Sequence, residues 1–272
     1  MTREPFEHVR LRSFLLWIVV TSAVLGIGLA AYRYSSSQPL SDLGITAIAA
    51  LFYASLAFWA FGEVQQARVP LKLLLAKGAG GLGPVRIGAL LSACLLFGVS
   101  SFRLFGYISG ESAVDPLVAK WHGGGEPSLL ALGGLFVVAV VVAPIVEEVI
   151  FRGLILRSWA YRYSLNKAIV VPALVFASIH FENFPGAFVL GLIYAVLYLR
   201  TRSLWLPITL HGLNTITLSI SEFGFEGAEP QVRISVTLVM LLWSSIYLGR
   251  FLYREWPKAD PEPSGGGNAV TL

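Results

Sequence analysis

The sequence predicts an all-α, polytopic membrane helix bundle, and three observations carry that prediction. Hydrophobic residues make up 56% of the 272 and charged residues only 13%, whereas an average soluble domain has about 25% charged residues. Mean hydropathy is +0.71. The apolar residues gather into long runs close to the roughly 20 that cross a bilayer, and the segments between them alternate between basic and acidic. The net charge of +4 and the pI of 9.3 fit Lys- and Arg-rich cytoplasmic loops better than a nucleic-acid surface. The single cysteine, Cys94, lies in an apolar run. It excludes an intrachain disulfide and a cysteine-based zinc site, and reads as a packing residue.

Taken in order, the runs predict eight transmembrane helices. The first, 14–31, follows a polar start with Arg3, Arg10 and Arg12; it is longer than the roughly 7–15 residues of a signal-peptide core, so it reads as an uncleaved span. The second, 43–61, follows the polar turn at 35–39. Residues 63–84 form a basic, Gly-rich loop, and the third span covers 87–105. An acidic loop, 108–127, leads into a fourth span that starts near 129 and continues helically to about 159. Pro144 should kink that helix. The remaining spans are 168–181, 187–199, 205–220 and 234–251. Ala187, Gly191 and Ala195 recur every four residues, a small-residue face suited to close helix packing. The tail, 256–272, is Pro- and Gly-rich and reads as disordered. Basic segments alternate with acidic or neutral ones, which places both termini in the cytoplasm. The chain thus divides into an N-terminal three-span region with its loops (1–127), a core (128–220), a last span (221–255) and the tail.

The chemistry concentrates in the fourth span. Glu147, Glu148 and Arg152 fall within six residues of an otherwise apolar stretch, and an ionisable side chain at bilayer depth is by default a functional-site hypothesis. Residues four apart share a helix face while adjacent ones diverge by about 100°. Arg152 is therefore positioned to neutralise Glu148, leaving Glu147 free to meet other spans. A structural Glu–Arg pair would account for Glu148 and Arg152 but not for Glu147. Of the four histidines, His8 and His122 read as solvated surface residues, while His180 and His211 lie in separate apolar spans. Counted at about 1.5 Å per residue, Glu147, His180 and His211 come out roughly 15, 20 and 10 Å above the cytoplasmic ends of their spans. They can meet in one layer. One carboxylate and two imidazoles could bind a divalent metal such as zinc with an open position for water. Alternatively they could activate a water with no metal, with Asn214 placed to polarise a carbonyl.

These residues resemble the motifs of the CPBP intramembrane proteases, which include CAAX prenyl endopeptidases and bacterial enzymes linked to bacteriocin processing and self-immunity. Glu147-Glu148 with Arg152 fits the family's Glu-Glu-x-x-x-Arg, and Phe176 with His180 fits its Phe-x-x-x-His. His211 fits the third motif with a departure: the family's Asn falls four residues later, where this chain has Thr215, while Asn214 falls at three. The resemblance covers roughly 128–220. It implies an endopeptidase in a bacterial cytoplasmic membrane that acts on a membrane-associated protein or peptide, with Glu147 activating water assisted by His180 and His211. Two other classes remain open. A proton-coupled transporter would also use intramembrane Glu, Arg and His, although the internal repeats common in such folds are missing. A binding or immunity protein could keep the fold without catalysis.

Overall fold

A computed structural model describes residues 6–36, 40–68, 82–109, 128–220 and 229–257. They form eight helices: α1 (Leu11–Ser35), α2 (Asp42–Ala67), α3 (Pro84–Ser109), α4 (Leu129–Arg162), α5 (Leu165–Ile179), α6 (Phe184–Thr201), α7 (Trp205–Ile220) and α8 (Pro230–Glu255). No strand occurs among the described residues. The all-α membrane bundle expected from composition is the observed architecture. Six segments are long and apolar enough to cross a membrane; α5 and α7 are shorter, at 15 and 16 residues. The starts of α2 and α4 are fixed by serine caps. Ser41 accepts from the Gly44 N–H at 3.1 Å and Ser128 from the Ala131 N–H at 3.2 Å, which satisfies one otherwise orphaned donor at each helix start.

The outward faces of α1, α2 and α8 are apolar: Leu16, Val20, Ile27, Phe58, Val239 and Leu242 are all exposed. In water that arrangement would be a large hydrophobic patch; in lipid it costs nothing. Two packed cores lie inside. The first joins α1, α2, α4 and α5 through a line of aromatic rings. Trp59 meets Phe14 (5.2 Å between centroids), Phe14 meets Phe151 (5.4 Å), and Phe151 meets Phe176 (5.4 Å). The second holds Leu90, Cys94 and Phe97 of α3 against Ile193 and Leu197 of α6, Leu210 of α7 and Leu248 of α8. Helix α6 stands between the two and serves both, which is why it is the most enclosed of the long segments.

The break expected at Pro144 takes the form of a wide turn rather than a simple kink. Residues Val138–Val142 wind as a π-helical turn, closed by the Ala143 N–H on the Val138 carbonyl. Proline has no N–H to offer the carbonyl four residues back, and that carbonyl, on Val140, faces α7 at Gly212. A Cβ at Gly212 would stand 2.8 Å from the Val140 oxygen, so the close crossing of α4 and α7 requires a glycine there. A second π-helical stretch, Val149–Leu156, follows the glutamates. The two carboxylates are thus bracketed by irregular turns, a common setting for functional residues.

Two expectations change in detail, those for His180 and His8. His180 does not lie within a span: α5 ends at Ile179, and His180 (φ −114°, ψ 51°) begins a tight turn, Phe181–Asn183. Helix α5 rises about 22 Å, less than the roughly 30 Å of a bilayer's hydrocarbon core. His8 is not a freely solvated side chain. Its Nε2 lies 3.0 Å from Glu63 Oε2, near the end of α2. The first three helices do not pack as one unit: α1 and α2 lie against each other and α2 on α4, while α3 pairs with α8 and also packs on α6 and α7. At the start of the tail, Trp256 donates from Nε1 to Asn166 Oδ1 at 2.8 Å. His122, the acidic loop beyond 109, most of the basic loop, and residues 258–272 lie outside the described residues.

Candidate active site

The site grows from the fork at Glu147 and Glu148, both buried, at 2% and 0% exposure. Glu148 points to the closed side. Its Oε1 accepts from Arg152 Nη1 at 2.6 Å and lies 3.2 Å from His211 Nδ1. Arg152 is in turn held by its second Nη donating to the Gly191 carbonyl at 3.0 Å. The small-residue face of α6 explains this reach. A Cβ on Gly191 would come within 3.2 Å of Ala173 on α5, so glycine lets the two helices close. The guanidinium also sits over the rings of Phe176 (4.8 Å) and Tyr194 (5.3 Å). Such packing compensates a cation held away from water.

Glu147 points to the open side. Its Oε1 accepts from the Tyr53 hydroxyl of α2 at 2.7 Å. Its Oε2 is buried with no hydrogen-bond partner, and faces His180 Nε2 at 3.6 Å and His211 Nε2 at 3.8 Å. One ligand atom from each of these three residues lies within 4.8 Å of the others. The layer drawn from depth counting therefore exists as geometry.

The ring tautomers follow from the partners. The Phe176 carbonyl can only accept, so His180 carries a proton on Nδ1, 2.8 Å from that oxygen. Phe176 thus serves twice: its main chain orients His180, and its ring stacks on the imidazole at 4.4 Å while covering Arg152. This is a physical reason for the Phe-x-x-x-His spacing. His211 donates from Nδ1 to the Glu148 carboxylate and is held between Tyr194 (5.7 Å, stacked) and Phe176 (5.6 Å, edge-on). Both histidines then turn an Nε2 lone pair toward Glu147. That donor set, with each second nitrogen fixed by an acceptor, fits a divalent metal as three ligands with oriented outer partners.

Asn214 is placed differently from the trio. It is buried, its Nδ2 donates to the Tyr194 hydroxyl at 3.0 Å, and its carboxamide occupies the space that a side chain at Gly98 of α3 would need. Its link to the site runs through Tyr194 to His211. Thr215, the alternative at the next position, hydrogen-bonds back to the His211 carbonyl at 3.2 Å. Sequence reasoning missed Tyr53 and Tyr194. Both are tyrosines inside apolar helices whose hydroxyls need partners once buried, and that was the available signal.

Comparison with known proteins agrees with the motifs. Residues 129–217 match the family described as Type II CAAX prenyl endopeptidase Rce1-like. A curated relative, "Putative membrane peptidase YdiL" of Bacillus subtilis (strain 168), is 29% identical over 116 residues, covering 42% of this chain and 47% of that protein. The chain therefore spans about half the length of the curated relative it matches. No solved structure matches it. Glu147, Glu148, Arg152, His180, His211 and Asn214 all fall inside the matched segment, so it is the part of the chain carrying the carboxylates and histidines that is similar to the Rce1-like family.

Proposed function

We propose that the protein is an intramembrane endopeptidase that hydrolyses a peptide bond of a membrane-associated protein or peptide. The supporting observation is the free oxygen of Glu147, buried and facing two imidazole nitrogens. A water in that space meets three acceptors, yet it has only two protons to donate. The excess is resolved when one imidazole carries a second proton, taken up from solvent, at Nε2 and so becomes a donor; that proton stays with the imidazole through the cycle. Glu147 then removes a proton from the water as the oxygen attacks the scissile carbonyl carbon. The protonated imidazole faces the developing oxyanion, and the proton taken by Glu147 passes to the leaving amine. Glu148 and Arg152 hold His211 in the tautomer this requires. Asn214 holds Tyr194, and through it the His211 ring.

Glu147, His180 and His211 are also the residues that would hold a divalent ion such as zinc, which when bound supplies a more acidic water and a polarised carbonyl. Arg152 and Glu148 would keep their orienting roles in both cases, whereas Glu147 would act as a ligand in the one and as the base in the other. Loop charge supports cytoplasmic termini, and the cytoplasmic membrane of a bacterium is the location that goes with this reading.

The matched family's description suggests the first substrate to try, a prenylated peptide ending in a CAAX sequence. The experiment is cleavage by the full chain in lipid nanodiscs, beside Glu147→Gln. Cleavage by the parent and none by the variant is expected. Equal cleavage by both would remove the reading, and gradient-driven uptake of solute without cleavage would favour a transporter.

A further inference from the structure

We infer that Tyr53, on a helix outside the matched segment, is a positioning residue for the water-activating carboxylate; the inference rests on the endopeptidase reading above. The observations are local. Tyr53 donates to Glu147 Oε1 at 2.7 Å, a charge-assisted bond of the strong class. A carboxylate joined to its stem by one rotatable bond can otherwise present either oxygen, or both, to the histidines. With Oε1 taken, only Oε2 faces the two Nε2 atoms, at 3.6 and 3.8 Å.

The donor is itself held in register. Two turns earlier on the same face of α2, the Thr46 hydroxyl lies within hydrogen-bond distance of two carbonyls, Asp42 of its own helix at 2.9 Å and Ala131 of α4 at 3.2 Å. Its methyl fills the space left by Gly134, where a Cβ would come within 2.9 Å. Helices α2 and α4 run in the same direction, so fixing Thr46 beside the start of α4 sets where Tyr53 arrives beside Glu147. The hydroxyl, rather than the ring, carries the role. The ring packs edge-on against Phe52 at 5.4 Å, and phenylalanine would keep that packing.

The test is Tyr53→Phe in the full chain in nanodiscs, with Glu147→Gln alongside, measuring kcat, KM and thermal unfolding. Loss of a hydrogen bond to a charged group should lower kcat about 10- to 100-fold, with KM unchanged and the unfolding midpoint lowered only slightly. Three results would overturn the inference. If Tyr53→Phe keeps full kcat while Glu147→Gln is inactive, Tyr53 does not position the base and the endopeptidase reading stands. If Tyr53→Phe lowers the unfolding midpoint and changes KM in step with kcat, the hydroxyl serves packing. If Glu147→Gln remains active, both readings fall together.

Discussion

Glu147 and Glu148 are adjacent in sequence and equally buried, and each keeps one oxygen without a hydrogen-bond partner, yet the fold surrounds them differently. Glu148 is tied into a network: arginine at 2.6 Å, histidine at 3.2 Å, and through the arginine a main-chain carbonyl and two aromatic faces. Glu147 is given one donor on one oxygen, while the other is left facing two nitrogens that carry lone pairs. The roughly 100° between neighbouring helix positions turns the two side chains toward different spans. One side supports the scaffold; the other holds chemical potential in reserve. A helix can therefore build both halves of a site from a dipeptide, provided the surrounding spans differ.

Substitutions on the two sides should separate these roles. Glu147→Gln keeps the shape and the Tyr53 contact, so we predict a loss of cleavage of about 100- to 10,000-fold with an unchanged unfolding midpoint. A large fall in that midpoint would mean that the open side is structural after all. Arg152→Ala attacks the closed side and leaves a buried carboxylate uncompensated. It should cost about 3–5 kcal/mol of stability, read by denaturant unfolding in nanodiscs or as loss of folded protein in the membrane. Near-parental stability would show that His211 alone satisfies Glu148.

Two smaller effects sharpen the boundary. Gly212→Ala forces a Cβ against the Val140 carbonyl; overpacking of this kind costs about 1–3 kcal/mol. Because it shifts α7, it should reduce activity together with stability, unlike Glu147→Gln. Trp256→Phe removes an exposed hydrogen bond to Asn166, far from either carboxylate. Its expected effect is below about 1 kcal/mol, with unaltered turnover; a changed turnover would show that the end of α8 is coupled to the site.

Much of this was legible in the sequence because charge in lipid is rare enough to be informative. Glu147, Glu148 and Arg152 announced themselves by residue type, and the four-residue offset gave the Glu148–Arg152 pair correctly. Depth counting brought His180 and His211 to the right layer. It missed that His180 lies in a turn, since nothing in the apolar run shows where α5 stops. Tyr53 was not legible as a site residue. Its contact depends on the register between α2 and α4, set by Thr46 and Gly134, and neither helix encodes that register alone. Asn214 was legible as polar and buried, but its partner depends on Gly98, more than 100 positions earlier.

The acceptor that orients His180 is a main-chain oxygen, and this has a consequence for genetics. No replacement at position 176 can delete it. A saturation scan there would register only the ring's contribution, through the cover it gives Arg152 and the two imidazoles. The peptide group would go uncounted, although it decides which nitrogen faces Glu147. Backbone ester substitution at that linkage, rather than any codon change, is the way to weigh it.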